Sequence, residues 1–444
     1  MTVPPDRENP LARLVREVRA RGGLVVQPRM GFSDTTTMRA GLRAVASLPL
    51  PTVGTLTVDS YTRVGDHDAA RAALREGRRI NGFPIVSHGA VTTAAMTADL
   101  VAAGLPVQVR HGSAAPYDIV ATALDAGLTS TEGGPVSYCL PYGRVPLAAS
   151  VDAWRRTCDL LAERSADGVH CHLESFGGCM LGQLCPPSLL LAVSLLEGLF
   201  FRSRGVPTIS LSYAQQTNPL QDLEALRALA VLAHRFFGPA DWHIVLYTYM
   251  GVFPSTTAGA LRLIADSAQL AVFGGAHRLI VKTPAEAYRI PTIEENVDSL
   301  LWAHRHAAAA ASVPASVPAD TGILAETTAL VESVLALHDD VGEALVRAFR
   351  TGALDVPYCL HEDNAGRSAA VVDTDGLLRW TATGRMALPA TGAVDRRMTS
   401  DGLLAALSWM QRRYDDAALL SGPDPTVEPT AGSGPATSRT WKPS

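Results

Sequence analysis

The chain has 444 residues, 47% of them apolar, and a formal charge of −5. That suffices for a large core and, on length alone, for more than one domain. An acidic balance without basic blocks argues against a nucleic-acid partner. The absence of a long apolar run, or of an apolar leader in MTVPPDRENPLARL, argues against a membrane one.

Six cysteines without a secretion signal read as reduced thiols of a cytoplasmic protein. Of 38 basic residues only Lys282 and Lys442 are lysines. In so arginine-rich a chain a lone arginine says little, whereas Lys282, inside RLIVKTP, is read as a place where a compact ammonium matters, the competing reading being a chance survivor with a snorkelling stem.

From Gly22 to about Asn296, short apolar runs alternate with longer helical patterns. In order the runs are GLVVQPR, GTLTVDS, GFPIVSH, PVQVRHG, GLTSTEG, VHCHLES, TISLSYA, HIVLYTY and LIVKTPA. Segments such as LQDLEALRALAVLAHRFF between them repeat apolar residues at three- and four-residue spacing, as helices covering a sheet do. Repeated strand–helix units predict a parallel sheet. So many in one region predict an α/β fold of TIM type, a closed (β/α)8 barrel over residues 1–302. Nine runs compete for eight places, and GLTSTEG is the least strand-like. Residues 303–322, rich in Ala, Ser and Pro, read as a connector, and 323–420 as a helical extension with short strands. Residues 421–444 read as a disordered tail, with too little apolar pattern to offset ordering entropy.

In PVQVRHG, alternating Val107 and Val109 are expected to pack into the interior, yet the strand ends in Arg110 and His111. LVVQPR ends likewise in Arg29 and LTVDSYTR in Arg63. The C-terminal ends of parallel barrel strands open on one face. Arg29, Arg63, Asn81, Arg110–His111, Glu132, His172–Glu174, Tyr213, Tyr247–Tyr249 and Lys282 therefore converge there. Three guanidiniums on one floor suit a small dicarboxylate; the competing reading pairs each with a loop acid such as Asp59 or Asp66. Glu132 is either an ammonium acceptor or base, or the partner of a nearby arginine. Tyr138 and Tyr142 are either ligand hydroxyls or packed loop aromatics. His170, Cys171, His172, Glu174, Cys179 and Cys185 fit no compact zinc spacing, so no metal site is expected. Lys282 at a strand end also allows a Schiff-base aldolase or lyase acting on a small acidic substrate. A non-catalytic scaffold is the third reading.

QPRMG, DSYTR, NGFP, VQVRHGS, STEGGPVSYCLPYGR, LCPPS, YMGVFP, LIVKTPAEAYRIPT and NAG at 364–366 occur in this order over most of residues 20–390. In them the chain resembles the large (epsilon) subunit of glutamate mutase, or methylaspartate mutase. The resemblance implies an adenosylcobalamin-dependent isomerase interconverting L-glutamate and threo-3-methyl-L-aspartate by a radical rearrangement. It implies that Arg29, Arg63, Arg110, His111, Glu132, Tyr138 and Tyr142 hold substrate, with Glu132 and Arg110 closest to the chemistry. It assigns Gly31, Asn81, Pro141, Phe253, Lys282, Glu286 and Ile290 to the cofactor. Two departures are a shortened N-terminal extension and the cysteine-rich stretch 171–185. The corrinoid signature Asp-x-His-x-x-Gly is absent, Asp241–Trp242–His243 being its nearest approach. A separate small (sigma) cobalamin-binding subunit is therefore expected, in a heterotetramer of two large and two small chains.

Overall fold

The computed structural model describes residues 7–141, 143–177, 184–239, 241–312, 320–388 and 398–421. Eight parallel strands form one sheet: β1 (Val25–Pro28), β2 (Gly54–Thr57), β3 (Val107–Arg110), β4 (Ser130–Glu132), β5 (His172–Glu174), β6 (Thr208–Ala214), β7 (Trp242–Tyr247) and β8 (Arg278–Val281). From β2 to β8 each pairs with its sequence neighbour, and β8 pairs with β1. A Val26–Thr52 bridge closes the remaining seam. There Val26 N–H donates to Pro51 O at 3.1 Å and Thr57 N–H to Met30 O at 2.9 Å. This is the expected (β/α)8 barrel.

Two assignments of the sequence reading change. GLTSTEG supplies β4, whereas GFPIVSH is the surplus run and opens the helix Ile85–Ala102. Phe83 N–H still donates to Thr57 O at 2.7 Å, but Pro84 has no donor and its fixed φ starts the helix instead. Arg63 does not end a strand either: β2 stops at Thr57, and the Asp59 carboxylate caps the short helix Ser60–Arg63. By length and mean hydropathy, 1.2, the helix Ile85–Ala102 is the one among the described residues that could cross a membrane, but Gly89 at φ 79° breaks its continuity.

Val107 and Val109 pack into the interior as expected, on the side facing the helices, while Gln27, Thr55, Gln108, Glu174, Ser210 and Arg278 fill the lumen, all fully buried. Gln27 donates to Thr55 at 2.9 Å and to Gln108 at 2.8 Å; Gln108 donates to Glu174 at 3.1 Å. Arg278 donates to Gln108 at 3.1 Å, and also to Gln27 and Glu174. A buried guanidinium persists because carboxylate and amide oxygens replace its lost water.

Beyond the barrel, the helices Ile323–Leu335 and Val341–Thr351 precede an antiparallel hairpin of β9 (Ser368–Val372) and β10 (Leu378–Thr383). The helices Ser400–Leu407 and Trp409–Ser421 follow. Asp415 returns to the barrel, accepting from Ser255 N–H and Thr256 N–H at 2.9 Å each. The connector begins later than expected, because the helix Ile293–Ala310 runs through its first eight residues. AHRHAAAA is rich in alanine, the strongest helix former, and nothing before residue 311 stops propagation. Residues 313–319, 389–397 and the tail from 422 lie outside the described residues.

Candidate active site

Register brings the site together. Arg110, Glu132, Glu174 and Tyr247 are the last residues of β3, β4, β5 and β7, and Glu132 stands opposite Glu174. Arg110 Nε donates to Glu132 Oε2 at 2.6 Å, with both side chains nearly inaccessible. Tyr247 donates to the same oxygen at 2.8 Å and meets Glu174; Tyr138 donates to Glu132 Oε1. The Arg110 guanidinium also stands 5.1 Å from the centre of the Tyr247 ring. Burial opposes charge on Arg110, but Glu132 raises its pKa further, so the guanidinium stays charged. Burial would raise the Glu174 carboxyl, yet Arg278 and the Tyr247 hydroxyl hold it below its ordinary value. Burial, reinforced by Glu132 and Glu174, keeps Tyr247 protonated.

His111 adds a neutral donor. Burial, then the Arg110 charge, depress its pKa to about 3. Ser113 N–H donates to Nδ1 at 3.0 Å, which places the ring proton on Nε2. That nitrogen is buried and makes no hydrogen bond of ordinary geometry among the described residues, although the Glu132 backbone lies near enough to favour the protonated ring slightly. Tyr138, edge-on to His111 at 5.3 Å, and Trp154, stacked at 5.8 Å, fix the ring.

A second cluster follows β1 and β8. Arg29 Nη1 lies 3.2 Å from Glu286 Oε2, and Lys282 Nζ lies 3.5 Å from the same oxygen and 4.6 Å from the Phe253 ring centre. Burial would raise the Glu286 carboxyl, but Arg29, Lys282 and Arg110 together hold it low. Arg29, Gly31, Asn81, Glu286 and Ile290 line one cavity of about 380 Å³. A Cβ on Gly31 would lie 2.6 Å from Thr57 O, so only glycine fits that wall.

Not every expected residue joins these groups. Pro141 lines a different cavity of about 740 Å³, opposite Tyr358–Asp363, and Tyr142 is outside the described residues. Arg29 and Arg110 are not bare cations, since each already faces an acid of this chain, though neither Asp59 nor Asp66. Arg63 lies along Gly112, where a Cβ would sit 3.0 Å from its Cδ, and forms no ion pair among the described residues. His172 hydrogen-bonds Thr208 at 3.1 Å and Ser210 at 2.9 Å, and stacks on His243 at 5.0 Å within the lumen. His243, of the corrinoid-like Asp241–Trp242–His243, is thereby enclosed.

Sequence reasoning missed Glu197, on the helix Pro187–Ser203. Its carboxyl accepts from Val136 N–H at 3.0 Å, Ser137 N–H at 2.8 Å and Ser137 Oγ at 2.9 Å, shaping the loop that carries Tyr138. A Cβ on Gly134 would come within 2.1 Å of that carboxyl. The available signal was one acid in the otherwise apolar LLLAVSLLEGLFF. Burial, partly offset by these bonds, raises Glu197 from 4.5 to about 7. Burial likewise raises Asp222 from 3.8 to about 7. Between the ordinary carboxylate range and about pH 7 the folded chain holds protons that the unfolded chain has released. Stability from both groups is thus full below pH 4 and lost as pH rises to about 7. Glu197 alone contributes roughly 3 kcal/mol, at about 1.4 kcal/mol per unit. The expected result is a lower unfolding midpoint in urea at pH 8 than at pH 5, with a smaller drop in Glu197→Gln. An equal drop in the variant contradicts this assignment.

The closed barrel, with its enclosed arginine–glutamate–tyrosine cluster at the strand C-termini, has the architecture of a TIM-barrel enzyme. Residues 4–398 match the family model described as the methylaspartate mutase E chain. The chain is 31% identical over 405 residues to the glutamate mutase epsilon subunit of Yersinia enterocolitica, covering 87% of this chain and 82% of that one. It is 33% identical over 380 residues to that of Desulfitobacterium hafniense, covering 82% and 78%. To that of Halobacterium salinarum it is 32% identical over 390 residues, covering 82% and 79%. The chain belongs to the methylaspartate mutase E chain family and is an isomerase of the mutase type.

Proposed function

We propose that the chain is the large subunit of an adenosylcobalamin-dependent glutamate mutase acting in the cytoplasm on L-glutamate and threo-3-methyl-L-aspartate. One observation carries this reading within the family. Arg110 meets Glu132 through Nε alone, so its two terminal nitrogens remain for a substrate carboxylate, beside the neutral imidazole of His111.

Glu132 Oε1 accepts from Tyr138 and keeps a lone pair for the substrate ammonium. His111, being neutral, donates to the bound carboxylate without changing the charge balance of the site. Arg63 and the unpartnered Nε of Arg29 are the donors for the second carboxylate. Holding both carboxylates from separate strands keeps the two halves of the substrate in place while the bond between them is exchanged. The tyrosine and phenylalanine rings around Glu132 exclude water from the reacting carbons.

The cofactor supplies, when bound, an organic radical that removes and returns one hydrogen atom. The cavity behind Arg29 fits the nucleoside end of such a group: Gly31 admits close approach, while Glu286, with Lys282 beside it, would meet hydroxyls. The corrin falls to the small subunit, docked over the barrel mouth. An aldolase is less favoured because Glu286 and the Phe253 ring both stabilise Lys282 as an ammonium, whereas a Schiff base begins from the free amine.

Co-purification with a cobalamin-binding small subunit, followed by NMR of products from labelled glutamate, tests the reading. The expected result is 3-methylaspartate from the complex and no tight corrinoid binding by this chain alone. Borohydride trapping of a keto acid on Lys282, without product from the complex, overturns it.

A further inference from the structure

Asn296 lies in the first turn of the helix Ile293–Ala310 and is 2% exposed. Its amide nitrogen donates to Thr292 O at 2.7 Å. A backbone carbonyl only accepts, so the amide must face Thr292 and Oδ1 must face away. Oδ1 is buried without a partner among the described residues, and Asn296 lines the same cavity as Gly31, Asn81, Glu286 and Ile290. A buried carbonyl left without a donor costs about 1–3 kcal/mol, so its retention at a cavity wall calls for a ligand N–H or O–H.

Two features decide which. The charged Lys282–Glu286 pair suits hydroxyls, whereas Ile290, Pro291 and Met30 offer an apolar wall to a flat ring. Asn296 follows that apolar stretch, and Thr57 on the barrel side brings a second buried polar atom without a partner, Oγ1. Opposite the 6-substituent of a purine, an acceptor-only carbonyl complements an amine, which donates, and opposes an oxo group, which only accepts; the Thr57 hydroxyl, able to donate or accept, suits the adjoining ring nitrogen of either base.

We propose that Asn296 is a specificity-determining residue of this cavity, whose Oδ1 accepts from the exocyclic amine of a 6-aminopurine nucleoside. This rests on the adenosyl reading above and goes beyond it by naming the group that reads the base.

The test measures binding of 5′-deoxyadenosine and 5′-deoxyinosine by equilibrium dialysis, using the complex with the small subunit loaded with hydroxocobalamin. Wild type is expected to prefer 5′-deoxyadenosine by about tenfold to a hundredfold. Asn296→Ala is expected to bring the ratio close to unity. A residue that only stabilises the helix start would weaken both compounds alike, so an unchanged ratio in the variant overturns the proposal. A ratio near one in wild type overturns it without any variant. Failure of wild type to bind either nucleoside removes the adenosyl reading as well.

Discussion

Exchange of Arg110 for lysine is expected to lower turnover by about a hundredfold to a thousandfold while leaving the protein folded. The lysine keeps one positive charge near Glu132, so the buried pair survives as an ion pair. It loses the planar fork, whose Nε meets Glu132 and whose terminal nitrogens are the proposed donors to substrate. A single ammonium cannot satisfy both acids in fixed directions. Steady-state formation of 3-methylaspartate, with circular dichroism as a check on folding, reads the outcome. Turnover within threefold of wild type removes Arg110 from the substrate site.

The second large effect concerns stability. Arg278 and Glu174 are both wholly inaccessible, and Arg278 also serves Gln27 and Gln108. Arg278→Met leaves the Glu174 carboxylate buried beside Gln108 and Ser210, and is expected to cost about 3–5 kcal/mol. Adding Glu174→Gln removes the stranded charge and is expected to recover most of the loss. Urea unfolding of the single and double variants measures both quantities. A single variant within 1 kcal/mol of wild type shows that the pair does not hold the lumen together. Because Tyr247 joins Glu174 to Glu132, the single variant also loses activity through misplacement of Glu132.

The barrel was legible in the sequence because strand–helix alternation is a property of apolar spacing, which local composition preserves. Ambiguity arose where that spacing was weakest. Ser130–Glu132 reads poorly as a strand because its alternate residues are a serine and a glutamate that face a polar lumen. GFPIVSH reads well by composition, but Pro84 denies it a ladder donor. The polar lumen was missed for the same reason: Gln27, Gln108 and Arg278 look like solvent positions until a ring of neighbours pairs them. At the candidate site, residue type and strand-end position pointed to Arg110, His111 and Glu132, which the fold places side by side. Glu197 holds its loop, and Asn296 reaches its cavity wall, through loop and helix geometry, which single-strand patterns do not encode. The internal partners of Arg29 and Arg110 were likewise out of reach, because Glu286 and Glu132 meet them only after closure of the barrel.

The polar lumen has one further consequence. A barrel packed with interchangeable aliphatic side chains tolerates neighbouring staves sliding past one another, since one methyl cluster replaces another. Here a one-residue slip of β8 would turn Leu279 inward and expel Arg278 among the covering helices, abandoning Glu174. The stagger of the staves is thus locked by charge, and the same lock sets the height at which Arg110, Glu132 and Tyr247 meet.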